Sequence, residues 1–424
     1  MVNKKVIPFL SADDRDSNYP CMLFDLHVEG HHSSYIRYIV EYWIKTNRKN
    51  SLIVVVTPTF LDLHKKLVRN SAATSQGSVK FISISNAEEK SVNLEKSIVS
   101  RAFKEWNIFC TYAESLSVTS GLLMYFDYFQ IPLIFGRKSP CLVSGIYFRP
   151  TLHYRYLCPE KFSLKIYLKD WVKKKILYFS LSHSKLSNLF SLDEFSVEYI
   201  KDLNLNTRTN IQYLPDPVTP HQVNQEKVAR LKEKLSIKPG RHIFLLFGSL
   251  GKGKGIYQVL EAIKKLDDKI SSSVCLLCIG KLSGAERERF KGQAAKISGL
   301  SNIQIVIHDD FVPDEEVQLY FDISHTILIP YQRHVGMSGV LLHSASAMKP
   351  VISSQYGLLG KLVQTYKLGT ALNSSNPQEI SKQIQFYVEN NIVALTDTDQ
   401  VSSFLNKHSP FQFSEIVVNQ IDPL

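Results

Sequence analysis

The feature that most constrains this chain is an alternation kept up along nearly all of its length. Short, strand-sized apolar runs are separated by segments whose apolar residues recur with helical period. Parallel strands need crossover connections, usually helices, and helices on both faces bury such strands completely. The pattern therefore predicts parallel sheets wrapped by helices. In the first half the expected strands are 20–26 (PCMLFDL), 52–56, 80–84, 107–112 (NIFCTY), 132–136 (PLIFG), 176–181 (ILYFSL) and 211–214. In the second half they are 242–248 (HIFLLFG), 273–280 (SVCLLCIG), 303–307, 326–330, 350–354 and 368–372.

Between the two sets lies LPDPVTPHQVNQEK, with prolines at 215, 217 and 220. Each fixes its own φ and biases the preceding residue away from helix, which predicts an extended linker. The chain is accordingly divided into residues 1–218, residues 219–400 and a C-terminal helical segment, 401–424, expected to pack back towards the first domain. The length of 424 residues also exceeds what one core usually organises.

Charge and cysteine content narrow the function classes. The formal charge is +11; residues 1–217 hold 28 basic and 20 acidic residues, and residues 218–424 hold 22 and 19. The surplus of the first half favours an anionic partner such as phosphate or a phospholipid surface. No nucleic-acid-binding motif accompanies it, so nucleic acid is not expected. The start reaches acidic residues before any sizeable apolar stretch and does not read as a secretory signal. No run approaches the ~20 apolar residues of a spanning helix, and six scattered cysteines fit a reduced cytosol. Cys275 and Cys278, three apart in a strand, point to opposite faces and are expected to be buried structural thiols rather than metal ligands.

Three loops carry candidate chemistry. The first is Gly248-Ser249-Leu250-Gly251-Lys252-Gly253-Lys254-Gly255, between a strand and a helix with Ile256, Val259, Leu260, Ile263 and Leu266 on one face. Glycines let a backbone approach a ligand, and amides at a helix start attract an anion. Gly248 to Lys254 satisfies GxxxxGK, but Gly255 stands where a nucleotide-hydrolysing P-loop needs a Ser or Thr hydroxyl for magnesium, so phosphate binding without a metal is expected. The second loop, Arg333-His334-Val335-Gly336-Met337-Ser338-Gly339, leads into a helix bearing His343 one turn on. The third, His27-Val28-Glu29-Gly30-His31-His32-Ser33-Ser34, follows the first strand. It precedes a helix burying Ile36, Ile39, Val40 and Trp43, with Ser33 or Ser34 as cap. Loops at the carboxyl ends of strands are where ligands sit in such sheets. No HxxxH, HExxH or regular carboxylate partner supports a metal there.

Together the two C-terminal loops and the order of elements resemble the retaining glycosyltransferases of family 4, which have the GT-B fold. FGSLGKGKGI is similar to that family's Gly-Arg-Leu-x-x-x-Lys-Gly loop. SGVLLHSASAMKPVISSQYGLLGKLV is similar to its Glu-Ala-Met-Ala-x-Gly-Lys-Pro-Val-Ile helix and strand. The resemblance implies an α/β chain of two Rossmann-like domains facing a cleft, acceptor binding by the first and nucleotide-sugar binding by the second, with no required metal or cofactor. It puts donor binding on Gly30, Ser249, Lys252, Lys254, Gly336, Met337, Ser338, Gly339 and His343. The catalytic candidates are His31, His334 and Lys254, and the acceptor candidates are His32 and Arg149. The leaving phosphate itself would take the acceptor's proton. The family's phosphate-binding arginine falls on Ser249, and its paired glutamates fall on Val335 and His343. These departures motivate a second reading, a catalytically inactive nucleotide-sugar-binding protein. A metal-dependent GT-A transferase is weakly motivated, since Asp14-x-Asp16 precedes the first strand.

The expected activity is transfer of a sugar from a nucleotide-diphospho-sugar to a glycan or lipid-linked acceptor in cell-surface polysaccharide or glycoconjugate synthesis. The expected location is the cytoplasm, with peripheral attachment to the inner face of the membrane as a further option. That option rests on FSLKIYLKDWVKKK, which puts Leu164, Tyr167, Leu168, Trp171 and Val172 on one helical stripe and Lys165, Lys169 and Lys173 on another. The stripe reads equally as a sheet-covering face and as one that docks on anionic lipid.

Overall fold

The computed structural model describes residues 19–28, 32–157, 164–205, 207–219, 223–282, 284–395 and 397–422. They fall into two compact units. The first comprises residues up to Phe148, Leu168–Leu214 and residues from Phe411 onward; the second comprises Arg149–Tyr167 and Pro215–Pro410.

The first unit is built on seven parallel strands: β1 (Cys21–Phe24), β2 (Leu52–Val56), β3 (Val79–Ser83), β4 (Ser120–Leu123), β5 (Leu142–Tyr147), β6 (Leu186–Ser191) and β7 (Asn210–Tyr213). Their spatial order is β3-β2-β1-β4-β5-β6-β7. The second has six: β8 (His242–Phe247), β9 (Val274–Ile279), β10 (Gln304–His308), β11 (Thr326–Ile329), β12 (Val351–Ser354) and β13 (Gly369–Leu372), in the order β10-β9-β8-β11-β12-β13. In both sheets the winding reverses beside the first strand, between β1 and β4 and between β8 and β11. A crevice opens at the carboxyl ends of strands at such a switch point. These are two Rossmann-like domains of the GT-B class.

All six expected strands of the second unit are present, but three of the first unit are not. Residues 107–112 lie in the helix Ile98–Ser115, 132–135 in the helix Gln130–Phe135, and 176–181 in the helix Leu164–Leu181. In the first of these, Ala102, Trp106, Phe109, Cys110 and Ala113 are buried at steps of three and four, a helical period hidden inside an apolar run. The strands that fill those places are SGLL, LVSGIY and LSNLFS. They are interrupted by Ser, Gly and Asn, so their apolar signal is diluted. The helix after β1 begins at His32, which puts Ser33 and Ser34 inside its first turn rather than at its cap.

Each unit has its own core. In the first, Tyr35, Ile36, Ile39, Val40 and Trp43 pack with β1, β2 and the terminal helix Pro410–Ile421, which contributes Phe413, Val417, Val418 and Ile421. Buried Arg48 holds the end of that helix, donating from Nη1 to the Asp422 carbonyl at 2.9 Å and from Nη2 to Asn419 Oδ1. The C-terminal segment is thus two helices. Thr398–Lys407 lies with the second unit and only Pro410–Ile421 completes the first core. Residues 149–167, expected with the first domain, cluster with the second unit. Cys275 and Cys278 are both fully buried in β9, and burial pushes the Cys275 thiol up to about 12 and raises that of Cys278 as well.

Candidate functional site

The crevice of the second sheet is lined by the loops that follow β8 and β11. The first leaves β8 through Gly248 and makes one 3-10 turn, Lys252–Lys254, closed by the Gly255 amide donating to the Lys252 carbonyl at 3.0 Å. Gly255 then caps the helix Ile256–Ile263 at φ +72°, and a Cβ placed there would meet the Pro330 carbonyl oxygen at 2.1 Å. Only glycine meets both conditions, a left-handed backbone and a neighbouring main chain in contact. The Gln332 amide donates to the Gly253 carbonyl at 2.9 Å, so the two loops are joined main chain to main chain.

Side chains then set the electrostatics. Ser249 and Lys252 are exposed, whereas Lys254 is half-buried, its Nζ 3.7 Å from the centre of the Tyr331 ring. A cation over a ring face at that range is attracted by the negative face of the ring. Tyr331 is buried and meets the His334 ring edge-on at 5.1 Å. His334 Nε2 lies 3.2 Å from the Met337 carbonyl; that oxygen only accepts, so Nε2 carries the proton and Nδ1 is the bare nitrogen. Burial lowers the His334 pKa to about 4. The Met337 carbonyl opposes this, and the charges of Lys254 and Arg149 reinforce it. His334 is therefore neutral at pH 7. Lys254, His334 and Arg149, the last an acceptor candidate, form one electrostatic group inside the second unit.

The Gly336–Gly339 segment leads into the helix Gly339–Ser346, with Ser338 buried at its N-cap. The Gly336 amide donates to Tyr154 Oη at 2.8 Å. Tyr154 is buried and lies edge-on to Tyr356. Its ring occupies the space that a side chain on Gly357 would fill, a Cβ there coming within 2.4 Å of Cε2. Sequence reasoning missed Tyr154, whose partners are about two hundred residues away along the chain. His343, one turn into the helix, is half-buried; its Nδ1 sits 2.8 Å from Gln318 Oε1 while Gln318 Nε2 donates to the His343 carbonyl at 3.2 Å. The pair of contacts fixes the imidazole on the face that packs against Phe321.

A second cluster stands at the switch point of the first sheet. Asp25, just beyond β1, is 3% exposed; its Oδ2 is 2.6 Å from His32 Nδ1, and its Oδ1 accepts from the His27 amide at 3.0 Å and lies 3.4 Å from His27 Nδ1. Burial alone would raise the Asp25 pKa, but His32 and His27 outweigh it and hold the carboxyl down to about 2. Burial likewise opposes charge on His27, and Asp25 raises its pKa nonetheless. The two imidazoles stack at 5.0 Å, with Tyr125, Tyr128 and Phe148 stacked alongside. The ligand atoms of Asp25, His27 and His32 lie within 4.8 Å of one another, close enough for a metal ion, but the carboxylate already serves both imidazoles. Gly30 and His31, expected in this loop, lie outside the described residues, as do Asp14 and Asp16. Asp25 was not singled out from the sequence, although a carboxylate directly after a buried strand is a usable signal.

Residues 227–400 match the family model described as glycosyl transferases group 1. No curated protein matches the chain in sequence. Solved structures match over nearly the full length. Anabaena HepE in complex with UDP and glucose aligns with a TM-score of 0.66 at 12% identity, covering 96% of this chain and 100% of that one. The sucrose-phosphate synthase of Thermosynechococcus elongatus gives 0.66 at 13%, covering 95% and 98%. WaaG, a glycosyltransferase involved in lipopolysaccharide biosynthesis, gives 0.62 at 12%, covering 96% and 100%. The second domain thus resembles the group 1 family, and the likeness in fold extends to both domains.

Proposed function

We propose that the protein is a glycosyltransferase that moves a sugar from a nucleotide-diphospho-sugar to a glycan or lipid-linked acceptor, in cell-surface polysaccharide or glycoconjugate synthesis, with retention and without a required metal. The observation that carries this reading is the joined pair of loops at the switch point of the second sheet, with Lys254 held between them, inside the segment that matches the group 1 family. HepE, of the same fold, is described with UDP and with glucose, and WaaG acts in lipopolysaccharide synthesis.

In this reading the sugar's anomeric C–O bond breaks and its electron pair goes to the departing diphosphate. Lys254, and the amides of the Gly248–Gly255 and Gly336–Gly339 loops, stabilise that charge because they are in place beforehand. The acceptor hydroxyl oxygen bonds to the anomeric carbon, and its proton passes to the phosphate oxygen just released. His334, neutral and with Nδ1 bare, accepts a hydrogen bond there rather than adding positive charge. A donor oxygen that takes the Gly336 amide displaces the Tyr154 hydroxyl. In the first unit, the stacked rings around His27 and His32 offer a flat face to a sugar, and Asp25 orients the imidazoles. Val335 and His343, standing where the family has glutamates, favour the second reading, a protein that binds the nucleotide sugar without turning it over.

The test is calorimetric titration with UDP-, GDP-, ADP- and dTDP-sugars in EDTA, followed by a transfer assay on the one that binds. Lys254→Ala is expected to weaken that donor at least tenfold. Binding without transfer to any acceptor selects the inactive reading, and no binding to any of the four removes both.

A further inference from the structure

The helix Leu164–Leu181 carries apolar residues on two sides, and the structure settles which of them meets the core. Leu177, Ser180 and Leu181 are buried. The stripe singled out in the sequence faces away from them: Leu168 is 65% exposed and Trp171 58%, with Leu164, Tyr167 and Val172 also exposed, and Phe179, at 54%, extends it. Positions 164, 168, 171, 172, 175 and 179 follow the spacing of one helical face. This is therefore not a sheet-covering stripe but an apolar face turned to solvent. A contiguous patch of this kind, on a helix that already has a core side, marks an interaction surface.

Charge identifies what covers it. Residues 155–190 hold eight basic residues (Arg155, Lys161, Lys165, Lys169, Lys173, Lys174, Lys175 and Lys185) and two acidic ones (Glu160 and Asp170). Lys175 lies within the stripe, its Nζ 5.9 Å from the centre of the Trp171 ring, and Lys169 is exposed beside it. Long lysine stems lie along apolar surface while their ammonium groups reach outward, and Trp prefers the boundary between acyl chains and headgroups. No helix among the described residues is long and apolar enough to cross a membrane. We infer that the helix Leu164–Leu181 lies flat on an anionic phospholipid bilayer, seating Leu168, Trp171 and Phe179 in the headgroup boundary while its lysines meet lipid phosphates. This surface shares no residue with either loop cluster and does not depend on the transferase reading.

The tryptophans supply a direct probe. The chain has three; Trp43 and Trp106 are fully buried, and Trp171 is exposed. The full-length protein is mixed with phosphatidylcholine vesicles with and without 30% (about one lipid in three) phosphatidylglycerol, an anionic fraction sufficient for a strong surface potential. The expected result is flotation with the anionic vesicles only, reversal by high salt, and a blue shift of Trp emission quenched by brominated acyl chains. Trp171→Glu and Leu168→Glu should abolish binding while leaving the melting curve unchanged, since both side chains are exposed. Lys174→Gln and Lys175→Gln should each weaken it about fivefold. Equal binding to both vesicle types, no binding, or binding that survives Trp171→Glu would overturn the inference. So would self-association of the free protein that Trp171→Glu abolishes, because the covering partner would then be a second copy.

Discussion

Asp25→Asn removes one charge from the floor of the first unit and keeps its shape. The buried carboxyl sits at about 2 against an ordinary 3.8. At ~1.4 kcal/mol per tenfold, that difference makes the ionised Asp25 worth about 2 kcal/mol of folding stability. The sign follows from the direction of the shift. A lowered carboxyl pKa stabilises the fold above pH 4, and that contribution disappears as the pH falls through 2. His27 runs the other way: its pKa is raised, so its contribution is full below its ordinary 6.5 and is lost as pH climbs through its folded value. With Asn at position 25 the main causes of that rise are gone, and burial, the largest influence, together with Arg101 draws the imidazole down against the lesser pull of Glu105. All three tryptophans belong to the first unit, so urea unfolding followed by Trp emission reports that unit and not the other. The variant should be less stable by about 2 kcal/mol at pH 6, and the gap between the two proteins should shrink steadily between pH 4 and pH 2. A gap that stays constant down to pH 2, or an NMR titration in which His27 keeps its raised pKa in the variant, would refute the reasoning.

Other expectations follow from single contacts. Gly255→Ala combines a left-handed backbone with a Cβ pressed on the Pro330 carbonyl, and should cost the second unit at least ~2 kcal/mol in calorimetric unfolding together with its nucleotide-sugar binding. Tyr154→Phe leaves the buried Gly336 amide without its hydroxyl acceptor and should lower the stability of the ligand-free second unit by about 1–3 kcal/mol, read in the same calorimeter. Ending the chain at Ser409 deletes Phe413, Val417, Val418 and Ile421, each worth roughly 1.5–3 kcal/mol when buried; together they rival the whole stability of a domain, so Trp emission should shift to that of an unfolded first unit.

How much could be read locally differs between the two units. In the second, the strands are uninterrupted apolar runs such as HIFLLF and VCLLCI, and glycines and lysines sit together in the loop after β8, so local pattern located the strands and that loop. In the first, SGLL and LSNLFS are too diluted to outrank the apolar helices 98–115 and 164–181, which imitate strands over six-residue windows.

The sequence by itself determined the class of fold, the position of the glycine- and lysine-rich loop after β8, and a basic helical stripe over residues 164–173. Those follow from composition and short-range period, which depend only on neighbours along the chain. The tertiary structure decided which residues become partners. It closed Asp25 on His27 and His32 within one loop and helix start, and brought Tyr154 to Gly336 across 182 residues. It also turned Leu168, Trp171 and Phe179 outward. A helix that is apolar on two sides has no preferred inner face of its own; packing within the unit buries one, with Leu177 and Leu181, and leaves the other exposed.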